Sequence, residues 1–299
     1  MAMVKEKTKT RREPYLDPLL LSNPEKILFP ADGITKKELG DYYARIAPLM
    51  LPLIKDHPLS MQRFPDGIDH EGFYQKNVGS YFPDFIDRIK LKNNDGTYTV
   101  YPLAQNMQTL VYLAYQASIT LHAWLSRCDK IDYPDRMIFD FDPGEKTLFS
   151  HVKHHVLAFK KLLDAKKLVS FVMTTGSRGL HVVVPLRRTK TYAFVHEYAH
   201  ELARTFAAQN PAELTVEMRK ETREGRLFID FMRNTYGHTA VAPYAVRPKN
   251  GAPVATPLLW SELQDPHLNA QTYTVKNIFA RLEKTGDVWH DFHKTKNRL

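Results

Sequence analysis

Two acids stand two residues apart inside an apolar run, Met137-Ile138-Phe139-Asp140-Phe141-Asp142-Pro143. In a β-strand, residues two apart point to the same face. Asp140 and Asp142 therefore project together, roughly 7 Å apart along the chain, while Met137, Phe139 and Phe141 turn the other way, into a core. Two adjacent carboxylates repel each other unless cations lie between them, and hard oxygen ligands suit Mn²⁺ or Mg²⁺. Asp-x-Asp alone is a common tripeptide at solvated strand ends and turns; the apolar setting distinguishes this one. The pattern recurs in Leu227-Phe228-Ile229-Asp230-Phe231, where a single acid interrupts an apolar strand. If the two strands are neighbours, three carboxylates converge. Two metal ions about 4 Å apart would bridge them, a pairing that activates a hydroxyl nucleophile and neutralises a leaving pyrophosphate.

A glycine-rich turn, Thr174-Thr175-Gly176-Ser177-Arg178-Gly179-Leu180-His181, separates two strand-like runs. Its glycines let backbone N–H groups turn inward around an anion. Thr175 and Ser177 add hydroxyls, Arg178 a fixed charge and His181 a ring donor. The same residues also make a plain hairpin loop with an exposed histidine. Further cations, Lys26, Lys36, Arg63, Lys76, Arg233 and Arg247, sit at strand ends or loops, and Phe73 and Tyr74 could stack on bases. Taken singly, each reads as a solvated charge or a packed ring. His122 shares one strand face with Trp124. His196-Glu197-Tyr198-Ala199-His200 matches the zinc-peptidase pattern. It has no visible third ligand, and Tyr192, Val195, Ala199, Leu202 and Ala203 make that helix an ordinary amphipathic one. His151, His154 and His155 read as a solvated helix face.

The elements that must hold these residues follow from periodicity. Up to about Leu125 the pattern is mixed: a helix from Lys36 to about Ile46, short strands at 59–64 and 73–76, a hairpin over Arg88–Tyr101 turning at Asn94-Asp95-Gly96, a helix near 106–117 and a strand near 119–125. From about Arg136 the order is strand 137–142, helix 147–165, strands 169–174 and 180–186, helix 190–208 and strand 226–232. Strand–helix–strand–strand–helix–strand is the split βαβ, ferredoxin-like order. Helices would cover one sheet face and leave the other free for a site. The fold class expected is α+β. Residues 1–20 read as a basic tail and 21–299 as one domain, with an N-terminal α/β module over about 21–125 and a catalytic module over about 130–270.

Composition narrows the partners. The 299 residues carry 42 Lys and Arg against 33 Asp and Glu, a formal net charge of +9, which favours a polyanion. The single cysteine, Cys128, excludes an intrachain disulfide and suggests a reducing compartment. No apolar run is long enough to span a bilayer: Ile46–Ile54 is short and broken by Pro48 and Pro52. A cytoplasmic, nucleoid-associated protein is expected.

Together these segments resemble the archaeo-eukaryotic primase superfamily, and within it the polymerase domain of the ligase D of non-homologous end joining. The resemblance runs from about Pro24 to Leu263. It rests on Met137–Pro143, Gly176–Val184, Phe228–Asn234, Ala242–Arg247 and Ala252–Leu258. It implies a primase-polymerase fold with an RRM- or ferredoxin-like sheet, and a template-directed polymerase that extends or fills DNA ends and gaps with NTPs or dNTPs. By this resemblance Asp140, Asp142 and Asp230 would ligate two ions, Mn²⁺ or Mg²⁺. Thr175, Ser177, Arg178, His181, Arg233 and Arg247 would serve the nucleotide, with His122 close to the nucleotide or primer end. Lys26 and Lys36 would hold the 5′-phosphate at a gap, with Arg63 and Lys76 also on DNA, and Phe73 and Tyr74 would stack on the template. The Arg88–Tyr101 hairpin would help align broken ends, and Ku and a separate DNA ligase would be partners. The sequence departs from the family in Thr175 for Ser, Arg178 for Lys and Arg233 for a Gln of some relatives. It also lacks a Lys-x-Asp-Gly ligase motif, so a stand-alone polymerase or an excised domain is expected. Two alternatives stay open: a primase that initiates strands, and a non-catalytic nucleic-acid-binding module.

Overall fold

The computed structural model describes residues 21–93, 95–145 and 147–299; the expected basic tail and Asn94 of the hairpin turn lie outside them. In chain order the elements are β1 (Ile27–Phe29), β2 (Ile34–Thr35), α1 (Lys36–Ile54), β3 (Leu59–Arg63), β4 (Phe73–Gln75), β5 (Arg88–Lys92), β6 (Tyr98–Pro102), α2 (Met107–Tyr115) and β7 (Ser118–Trp124). There follow β8 (Arg136–Asp142), α3 (Phe149–Ala165), β9 (Phe171–Thr174), β10 (Leu180–Pro185), α4 (Tyr192–Ala207), β11 (Leu214–Thr215), β12 (Leu227–Asp230), β13 (Thr239–Val241), β14 (Pro257–Leu258) and α5 (Ile278–Thr285).

The larger sheet has the order β11-β12-β8-β10-β9-β14. Its middle four strands reproduce the split βαβ order read from the sequence; β11 and β14 extend the two edges. Met137, Phe139 and Phe141 of β8 turn to one face, where Phe159 of α3 meets Phe139 at 4.7 Å and Phe206 of α4 at 5.1 Å between ring centroids. Burying a ring of this size stabilises by roughly 2–3 kcal/mol. The opposite face is only partly free. Ile138, Val183 and Met173 pack into a second core built on α1, α2 and a four-stranded sheet, β13-β7-β3-β4. The far end of that face, beyond Ile138, opens to a cavity lined by Asp140 and Asp142.

The two cores do not divide the chain at residues 125–130. β13 pairs with β7, and Tyr244, Val246, Val254, Ile278 and Trp289 all lie in the N-terminal core. Helix α1 is also longer than its spacing suggested. A capping box joins Thr35 and Glu38 at its start. It then runs through Pro48 and Pro52 because both prolines face outward, where water reaches the carbonyls they leave unpaired, while Ile46, Met50 and Ile54 are buried.

Asn234 fixes the exit from β12. That strand pairs with β8 only as far as Asp230 opposite Asp140. Beyond it the chain turns, and the buried Asn234 amide takes over the ladder. It accepts from Ile138 N at 2.8 Å and donates to Ile138 O at 2.8 Å and Phe231 O at 2.7 Å. Asn234→Ala strands the buried N–H and carbonyl of Ile138, while Phe231 O keeps its bond from Asn234 N at 3.1 Å, and should cost about 2–4 kcal/mol. A urea midpoint equal to that of the wild type would show that this amide does not hold the turn.

Candidate functional site

The acids meet across the sheet. In the antiparallel pairing Asp140 lies directly opposite Asp230 on one side and His181 on the other. Asp142 is two residues further along the same strand. Directly opposed side chains share a face, so Asp230, Asp140 and His181 form one row with Asp142 beside it. His181 Nε2 stands 3.4 Å from Asp140 Oδ2. Arg178 Nη2 is 3.1 Å and Arg223 Nη1 3.7 Å from the two oxygens of Asp142.

Burial and mutual repulsion show in the proton affinities. Burial first, and Asp140 next, push the Asp142 carboxyl above its ordinary value. Burial also raises Asp230, and Arg233 only partly offsets it. Burial raises Asp140 too, but His181, Arg233 and Arg247 outweigh it and the carboxyl sits below its usual range. His122 is driven down to about 3, by burial and then by Arg247, Arg233 and His181, so its ring is neutral at physiological pH.

These groups face a cavity of about 320 Å³ at the seam between the sheets. Asp140, Asp142 and His181 come from one wall and His122, Tyr74 and Val241 from the other. Asp230 is not part of the lining; Arg233, which lies against it, is. Arg247 reaches in from the segment after β13 and donates from Nη1 to Thr175 O at 3.4 Å. Three shielded polar atoms here have no partner: His122 Nε2, His181 Nδ1 and Arg247 Nε. An unpaired buried donor or acceptor is costly, so a polar ligand entering the cavity would be favoured. Among the described residues no group of three or more His, Cys, Asp or Glu is arranged to hold a metal ion as the side chains stand. The carboxylates turn towards arginines instead. The donor set itself, three hard oxygen acids on one sheet face, each disfavoured by burial as a bare charge and two of them left with raised carboxyls, suits divalent ions.

The glycine-rich turn is built for close approach. A Cβ on Gly179 would sit 2.1 Å from Phe141 O, and Gly176 has φ +64° against the Arg247 side chain. Thr175 lines the cavity, but its hydroxyl is committed within the turn: it donates to Gly179 O at 3.1 Å and accepts from the N–H groups of Ser177 and Gly179. Its part is to shape the loop, where hydroxyl contact with a ligand was expected. Ser177 and Arg178 remain open to the cavity.

The remaining expected residues lie on the smaller sheet. Phe73 and Tyr74 alternate across edge strand β4, so they do not form one platform. Tyr74 stands edge-on to His122 at 5.6 Å, and the Arg63 guanidinium lies 5.5 Å from the Phe73 ring. Lys26 pairs with Asp66 at 2.8 Å. Lys36 has no carboxylate partner among the described residues, and burial, then Lys26 and Arg63, hold its ammonium below the usual lysine range. Lys36 also opens α1, at the positive end of the helix dipole, so three cations and a helix end repel one another in the absence of an anion. Lys76 is exposed just past β4. In the His-Glu-x-x-His segment both histidines pack on Phe231, His200 stacking at 4.4 Å and His196 at 5.3 Å between centroids. His155 is buried against Glu213 at 2.7 Å, not solvated. Sequence reasoning did not single out Arg223, Thr239 or Val241, and named Asn234 only as the end of the segment Phe228–Asn234; the charge-rich run 219–226 is the signal that could have pointed to the first.

An acid row on a ferredoxin-like sheet, facing a basic cavity closed by a second module, defines a primase-polymerase domain. The family model described as LigD, primase-polymerase domain, matches residues 35–289, and the chain belongs to that family. It is similar to the multifunctional non-homologous end joining protein LigD of Mycolicibacterium smegmatis, 34% identical over 273 residues, covering 90% of this chain and 35% of that protein. The bifunctional LigD of Bacillus subtilis is 26% identical over 283 residues, 94% of this chain and 45% of that protein. The chain thus spans between a third and a half of these relatives. A solved structure, the polymerase domain from Mycobacterium tuberculosis ligase D in complex with DNA, superposes with a TM-score of 0.87 at 30% identity, covering 92% of this chain and 98% of that one. No described helix is long and apolar enough to cross a membrane.

The raised carboxyl of Asp230 carries a stability consequence. Its folded pKa lies above the unfolded value, so ionisation at neutral pH costs the folded state free energy, a cost absent below the unfolded pKa. Asp230→Asn removes the charge and keeps an oxygen for the Met232 N–H, which Asp230 Oδ1 accepts at 2.7 Å. The variant should melt at the same temperature as the parent or higher at pH 7 without added metal, the gain vanishing below about pH 4. A lower melting temperature at pH 7 would contradict this electrostatic account.

Proposed function

We propose that the chain is a template-directed nucleotidyltransferase that extends or fills DNA ends and gaps with nucleoside triphosphates in double-strand-break repair. The observation that carries this reading is the Asp230–Asp140–His181 row with Asp142 beside it, opening on a basic cavity. Asp140, Asp142 and Asp230 would hold two divalent ions, Mn²⁺ or Mg²⁺. When bound, such ions activate a primer 3′-hydroxyl and neutralise the leaving pyrophosphate. Arg178, Arg247 and His181 surround the space for the triphosphate, and the Thr175–Gly179 turn lets backbone approach it. Neutral His122 can hydrogen-bond a sugar or primer hydroxyl without adding charge. Lys36, with Lys26 and Arg63, would receive a 5′-phosphate across the gap. Tyr74 and Phe73 would meet nucleotide and template from opposite faces of β4, Lys76 would contact the backbone nearby, and the β5–β6 ribbon would help align ends. Ku and a separate ligase are the proposed partners in repair.

The test is a gapped duplex, with and without a 5′-phosphate, incubated with Mn²⁺ and either ribo- or deoxynucleotides. Asp140→Ala and Asp230→Ala should lower nucleotide addition by roughly a thousandfold or more while DNA binding stays within a few fold. Lys36→Ala should abolish the preference for the phosphorylated gap and spare extension of a plain primer. Full activity in either aspartate variant would refute the metal assignment. Absence of pyrophosphate release from the parent protein would leave a binding module, and synthesis without primer would indicate a primase.

A further inference from the structure

Arg233 occupies ground that the proposed metal ions need. Its Nη2 lies 3.8 Å from Asp140 Oδ2 and its Nε 3.4 Å from Asp230 Oδ2. An ion bridging those two carboxylates would take the same oxygens, and two cations cannot share them without repulsion. Both contacts are longer than a charge-assisted hydrogen bond of about 2.7–2.9 Å. The side chain is 40% exposed and lines the cavity beside Arg247. Its backbone, in contrast, is fixed: it lies between Met232, whose N–H is held by Asp230, and Asn234, whose buried amide is bonded to β8. A rigid pivot thus carries a loosely held guanidinium with open space on one side.

We infer that Arg233 is a latch on the metal site. It neutralises Asp140 and Asp230 while no ion is bound, gives up both carboxylates when ions enter, and swings into the cavity to meet the triphosphate. The inference rests on the metal reading above and adds a coupling to it. An incoming polyanion draws the guanidinium away from the acids, so nucleotide and divalent ion strengthen each other's binding. By linkage the strengthening is equal in both directions. The arginine is then a positioning residue, acting on the ions through the carboxylates they share.

Mn²⁺ binding to the full chain can be followed by the paramagnetic resonance of free Mn²⁺. The titration is run with and without the non-hydrolysable analogue α,β-methylene-ATP, for the parent, Arg233→Gln, Arg233→Lys and Asp230→Asn. Without nucleotide, Arg233→Gln should bind Mn²⁺ roughly three- to tenfold tighter than the parent, and the further gain on adding the analogue should shrink by a similar factor. Arg233→Lys keeps the charge and should stay within about twofold of the parent. Unchanged or weaker Mn²⁺ binding in Arg233→Gln, with binding lost in Asp230→Asn, would overturn the latch and leave the metal reading standing. A parent protein that takes up no Mn²⁺ even with the analogue would overturn both.

Discussion

The register between β8 and β12 sets Asp140 against Asp230 on the same sheet face, two like charges in a partly dehydrated place. Left alone, such a pair would protonate or push its strands apart. Here every neighbouring device answers that repulsion. His181 completes the row from the other side, Arg233 spans the pair, and Arg178 and Arg223 hold Asp142. The apolar side chains that alternate with the acids bury in the core beneath α3 and α4, so the strands cannot part. Core packing therefore holds the acids together against their mutual repulsion.

The second constraint is the seam. The acid row lies on the large sheet, but the cavity exists only because the small sheet and the returning C-terminal segment close over it. His122 is carried by β7, Tyr74 by β4, and Arg247 by a segment packed in the N-terminal core. His122 and Arg247 arrive with unsatisfied polar atoms because the packing that places them leaves no protein partner within reach. The same interleaving explains why the two modules cannot be cut apart by chain position: the segment after β13 belongs to both.

The small sheet has its own electrostatic tension around Lys36, with a buried ammonium, a helix N-terminus, Lys26 and Arg63 together. The two centres differ in their anions: the acid row sets carboxylates among arginines, whereas Lys36 has no carboxylate partner among the described residues. Phe73 and Tyr74, facing opposite ways on the edge strand β4, separate the two centres.

Periodicity alone determined that Asp140 and Asp142 share a face, that Asp230 interrupts a similar strand, and that the catalytic half follows the split βαβ order; side-chain alternation in a strand is a local property of the backbone. The glycine turn was legible for the same reason, since the backbone freedom of glycine is local; the close approach of Gly179 to the Phe141 carbonyl was not, because it depends on strand pairing. Tertiary structure decided the rest. Pairing of β12 with β8 is a long-range choice of register, and a slip of one residue would have turned Asp230 into the core. The commitment of the Thr175 hydroxyl to its own turn, the run of α1 through two prolines, the role of Asn234 and the closeness of Arg233 to two acids all depend on which surfaces are buried. Burial is settled by packing between distant segments, and no local window of sequence contains it.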